Sequence, residues 1–114
     1  MHLVVLFFSG LFAANGIPHF INGISGRPFH SPFARPFGKK LSSPLTNVLW
    51  GLLNFILALA ALWLAGGCPF GFNPETILLC LGFVLTSIGL AVFFNSVNKQ
   101  YARALVDNRT ERSE

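Results

Sequence analysis

Asn15, His19 and Asn22 recur at i, i+4 and i+7 inside an apolar run from Leu3 to Ile24. In a helix this spacing places them on one stripe of the surface. An imidazole between two carboxamides can hold a polar head group, move a proton or tie neighbouring helices together. Hydrophobic burial explains none of the three. Two further apolar runs contribute Asn47, Trp50 and Asn54, and Asn95, so the polar side chains of separate segments have partners within reach. Polar groups in lipid are costly unless they bond to each other or line a wet cavity. Their convergence leaves two readings open. One is structural glue, with each interhelical bond worth about 0.6 kcal/mol on average. The other is a ligand pocket lined by Asn15, His19, Asn22, Asn47, Trp50, Asn54 and Asn95, with His19 as its only titratable group.

Other chemistries lack their residues. The acids are Glu75, Asp107, Glu111 and Glu114, all outside the apolar runs, so no buried carboxylate is available as a proton and substrate site. His19 and His30 stand eleven positions apart, which is not the helical spacing of a metal pair. No Ser/His/Asp or Cys/His set and no phosphate-cradling glycine loop occurs. No metal, cofactor or nucleic-acid partner is therefore expected, and a non-enzymatic role is favoured. Cys68 and Cys80 are too few for a disulfide framework; one bridge is conceivable, and two ordinary thiols are the simpler expectation.

The elements that would position these residues follow from composition. Charged residues make up 11% and hydrophobic residues 53% of the 114, against roughly 25% charged in a soluble domain. The expected fold is all-α: a single transmembrane domain, residues 1–114, with spans of about 3–24, 44–65 and 76–97. Each has the roughly 20 residues that cross a hydrocarbon core. A cleaved leader is disfavoured, because no Lys or Arg precedes Leu3 and Phe12 interrupts the small-residue pattern before Ala13-Ala14. All 8 Lys and Arg lie either between spans one and two (Arg27, Arg35, Lys39, Lys40) or after span three (Lys99, Arg103, Arg109, Arg112). Retention of basic segments in the cytoplasm then puts the N-terminus outside and the C-terminus inside a cell membrane, expected to be a bacterial inner membrane. The polar cluster falls in the cytoplasmic half.

Packing signals are of two kinds. Small residues repeat as Ser9, Ala13 and Gly16 in the first span and Gly82, Thr86 and Gly89 in the third. In the second, a seam of Asn47, Gly51, Asn54, Ala58, Ala61 and Ala65 runs the whole length. Such seams let helices approach closely, and this one predicts that the second helix is central or dimerising. One seam per helix favours a homo-oligomer or a subunit of a larger membrane complex. Turn chemistry is equally explicit: Ser43-Pro44 and Asn73-Pro74 read as N-cap followed by first-turn proline. Pro18 should bend the first helix. The tail 98–114 is expected to continue the third helix to about Val106 and then fray.

Loop 25–43 contains Pro28-Phe29, Pro32-Phe33 and Pro36-Phe37, a pair every four residues, with basic residues between. The expectation is an interfacial strap with rings in the lipid and cations in the headgroups. A lid folded beneath the bundle is the alternative.

At Gly16-Ile17-Pro18-His19-Phe20-Ile21-Asn22-Gly23-Ile24-Ser25-Gly26-Arg27-Pro28-Phe29 and Ser31-Pro32-Phe33-Ala34 the chain resembles small bacterial membrane proteins of unassigned function. A first helix ending in His-Phe before a Pro/Phe-rich segment resembles, more remotely, the DoxX-like families. That resemblance implies helical membrane architecture, usually of four spans where three are counted here, and carries His19 over as part of a membrane-embedded polar site. The resulting expectation is a binding, transport-associated or accessory module in contact with membrane lipids. Its alternative is an enzyme or lipid-binding protein in which His19 acts in an inner-leaflet pocket.

Overall fold

A computed structural model describes residues 1–114 as three helices: α1 (His2–Ile24), α2 (Pro44–Leu64) and α3 (Pro74–Ser113). All three are long and apolar enough to cross a membrane. The predicted caps form. Ser43 Oγ accepts from Thr46 N at 3.1 Å and Asn73 Oδ1 from Thr76 N at 2.9 Å, with Pro44 and Pro74 in the first turns. α1 is one continuous helix with Pro18 inside it, with no opened turn at that residue. α3 continues to Ser113 rather than fraying after Val106. No Gly or Pro follows Gly89, and Ala102, Arg103, Ala104 and Leu105 are strong helix formers.

The central helix is α1, not α2. It packs against both neighbours, whereas the α2 and α3 backbones stay apart. Glycine pairs set both crossings. Gly16 and Gly51 meet where α1 crosses α2, and a Cβ on either would come within 3.0 Å of the other's carbonyl oxygen. Gly10 and Gly82 meet where α1 crosses α3, backbone against backbone. A Cβ on Gly10 would fall 2.7 Å from Phe83 N, and one on Gly82 2.8 Å from the Phe7 carbonyl carbon. The α2 seam is thus consumed inside one chain, because Asn47, Gly51, Asn54, Ala58 and Ala61 are all buried on the side facing α1. Ala65 caps the helix. Ser9 joins the contact by donating to Ala58 O at 2.8 Å. Along α3 only Gly82 is so used; nothing lies within 4 Å of a Cβ placed on Gly89.

His2 Nε2 lies 3.4 Å from Glu75 Oε1, so the starts of α1 and α3 share one end of the row. At the other end, loop 25–43 turns beneath the bundle. Its ends pair as Phe29 with Ser42, its Gly38 backs onto the Gln100 side chain of α3, and His30, Ser31 and Ala34 are buried. The reason is polar as much as apolar. His30 and the backbone around Phe29 find partners on α2 and α3 that a headgroup layer would not order.

Candidate functional site

Asn47 is the node of the site. It is wholly buried, and the two hydrogens of its Nδ2 are shared among three carbonyls, Phe29 O at 3.0 Å, Ser43 O at 3.1 Å and Ser42 O at 3.2 Å. Those bonds orient the amide, so Oδ1 must be the group facing His19, 3.0 Å from its Nδ1. An amide oxygen only accepts; Nδ1 of His19 therefore carries the hydrogen, and in the neutral ring Nε2 keeps its lone pair. Around the ring stand Phe29, Trp50 and Phe94, all edge-on, at centroid distances of 5.5, 6.3 and 5.9 Å.

About two turns along α2, Asn54 Nδ2 donates to Trp50 O at 2.8 Å, which leaves its Oδ1 to accept from Asn15 Nδ2 at 2.9 Å. Asn15 retains a free carbonyl oxygen. Across the site, His30 Nε2 lies 2.9 Å from Asn98 Oδ1, a bond between the strap and α3. The His30 ring stacks on Phe94 at 6.1 Å and meets Tyr101 edge-on at 5.8 Å. Ser31 and Ser42 bond through their hydroxyls and close the strap on itself.

These groups border a cavity of about 350 Å³ lined by α1 (Asn15, His19), α2 (Trp50), α3 (Leu90, Phe93, Phe94) and the strap. The volume falls within the range of small-molecule sites, roughly 300–1,000 Å³. Two buried ring nitrogens beside it have no partner, His30 Nδ1 and Trp50 Nε1. Most buried polar atoms in proteins are bonded, so two orphans on one cavity need an explanation. Arg35 also lines the cavity, and no carboxylate does.

Of the residues singled out from sequence, Asn15, His19 and Trp50 border the cavity, while Asn47 and Asn54 hold them from behind. Asn22 and Asn95 are not brought there. Asn22 donates to Pro18 O at 2.7 Å and accepts from Arg27 Nε at 3.2 Å, trimming the end of α1. Asn95 is exposed on α3, and Asn98, three residues on, takes the bond to the strap. The strap residues His30, Ser31 and Arg35 were missed as site residues; their only signal was a polar residue beside each Pro-Phe pair.

A second cavity of about 570 Å³ lies nearer the other end, between Ser9, Gly10 and Ala13 of α1 and Phe55, Leu79 and Phe83. Gly10 and His19 are nine residues, or about two and a half helical turns, apart, so the two cavities occupy opposite faces of α1. The one polar side chain there, Ser9, is already bonded. Cys68 and Cys80 are both free thiols.

No protein-family model matches this chain, and no curated protein or solved structure shows significant similarity to it.

Proposed function

We propose that the protein is a multi-pass membrane protein, N-terminus outside, that binds one small amphipathic molecule from the cytoplasmic leaflet in the cavity beneath its strap. The observation that carries this reading is the pair of buried, unpartnered ring nitrogens, His30 Nδ1 and Trp50 Nε1, on one cavity. A structural polar cluster would satisfy its own members, as Asn47 and Asn54 do. Both residues instead line a cavity large enough for a ligand head, and neither nitrogen is bonded within the protein. The basic segments support the orientation, and with it the strap and cavity fall on the cytoplasmic side. Apolar rings, Phe37, Phe93 and Phe94, supply walls for a hydrocarbon body.

The reading is tested by native mass spectrometry of protein released gently from membranes, wild type beside Trp50→Phe and His19→Ala. The expected result is one small molecule retained per wild-type chain and its loss from both variants. A wild-type chain that is always bare, or equal retention by all three, would remove the proposal.

A further inference from the structure

We infer that the occupant of the strap cavity carries an acidic oxygen head group, phosphate or carboxylate, on its apolar body. This rests on the cavity being a ligand site. The donor and acceptor inventory then narrows the ligand. Trp50 Nε1 can only donate, and it has no partner. Arg35 brings a permanently charged guanidinium to the same cavity, and the only ion pair in the chain, His2 with Glu75, lies at the other end of the row. Both groups call for an oxygen acceptor, and the cation for a negative one.

His30 sharpens the requirement. It is 1% exposed, and its Nε2 faces the carboxamide oxygen of Asn98, so Nε2 carries a hydrogen and Nδ1 is left bare in the neutral ring. The oxygens of an acidic head group accept from the indole and the guanidinium, and a hydroxyl on the same head, as in a glycerol phosphate, can donate to Nδ1. A neutral carbonyl head would serve Trp50 and leave His30 unsatisfied. An ammonium head would face Arg35, with no carboxylate in the cavity to offset the repulsion. The planar guanidinium fork suits two oxygens of a phosphate or carboxylate.

The test compares short-chain lipids on the full-length protein in a neutral detergent. Dihexanoyl phosphatidylglycerol, the uncharged dihexanoylglycerol and a fatty acid are titrated by native mass spectrometry, with inorganic phosphate as competitor. Wild type is expected to hold phosphatidylglycerol or the fatty acid about tenfold more tightly than dihexanoylglycerol, the size of one charge-assisted bond. Arg35→Gln should reduce that preference to about twofold or less. Lys40→Gln, a charge lost from the same strap but outside the cavity, should leave it unchanged. Displacement by millimolar inorganic phosphate would show that the head alone is recognised. Displacement only by lipid would show that the apolar body is needed; both fit an acidic head. Equal retention of all lipids by wild type, still lost in Trp50→Phe, would overturn the acidic head and leave the cavity reading standing. Retention that no cavity variant alters would overturn both.

Discussion

Asn47 accepts the Nδ1 hydrogen of His19 at 3.0 Å and with its other end holds the carbonyls of Phe29, Ser42 and Ser43. One carboxamide thereby joins α1 to both ends of the strap and selects the tautomer of the imidazole beside the cavity. The three helices are held by glycine contacts elsewhere, so Asn47 serves the site more than the fold.

Replacing Asn47 by Ala leaves the buried His19 Nδ1 hydrogen without its acceptor, while the carbonyls of Phe29, Ser42 and Ser43 keep the backbone donors Ser42 N, Phe29 N and the N of residue 47. Unfolding in a denaturing detergent should show a loss of about 1–3 kcal/mol, the cost of one abandoned buried group. Trypsin should then cut the loop after Lys39 or Lys40 faster than in wild type, since Arg27 and Arg35 are each followed by proline. Unchanged cleavage would mean that the strap is held by its rings alone.

The crossing of α1 over α3 gives a matched pair of substitutions. Gly82→Val forces a side chain into the Phe7 carbonyl, and the backbones must part. Gly89→Val meets open space on the same helix. The first should cost about 3 kcal/mol or more, at or above the top of the usual overpacking range. The second should cost well under about 1 kcal/mol, because only helix propensity changes and that favours Val over Gly. Comparable losses would contradict the α1-centred row.

Much of this arrangement is legible in the residues, and the missing part has a physical cause. Ser43-Pro44 and Asn73-Pro74 announce helix starts because capping is local, and three apolar runs announce three helices. Which helix stands in the middle is not local. The α2 seam is the longest small-residue stripe, yet it serves one partner. The α1–α3 crossing needs only Gly10 and Gly82, and Gly10 stands outside the stripe of Ser9, Ala13 and Gly16. The strap is similar. Prolines exclude a helix, but they do not say whether the rings face lipid or the bundle. His30 and Asn98 decide that, 68 residues apart. Asn22 and Asn95 show the converse, since polar residues at cluster depth can be absorbed by the nearest backbone or left on the outer face.

Cys68 tests the orientation without any engineering. It lies in the loop between α2 and α3, and Cys80 lies on the apolar part of α3. A membrane-impermeant maleimide added to intact cells should modify Cys68 and spare Cys80. Modification of Cys68 only after the cells are opened would reverse the assigned sides and move the strap cavity to the outer leaflet.

The tautomer of His19 is directly observable. In a sample labelled with ¹⁵N at histidine and held near neutral pH, His19 should show a protonated Nδ1 and a bare Nε2. Asn47→Leu should abolish that preference, because the acceptor that imposes it is gone. The opposite tautomer in wild type would mean that the Asn47 amide is not the group that orients the ring.

The central claim is that a ligand head occupies the cavity and accepts the Trp50 indole hydrogen. The chain has 2 tryptophans, and Trp63, 79% exposed, serves as the internal reference. The indole ¹H–¹⁵N resonances should be recorded in nanodiscs containing acidic lipid and again after exchange into a neutral detergent free of lipid. The expected result is a downfield, exchange-protected Trp50 Nε1–H in lipid that moves on delipidation by clearly more than the Trp63 signal. A Trp50 resonance that follows Trp63 through the exchange would mean that nothing bonds to the indole, and the ligand site would be refuted.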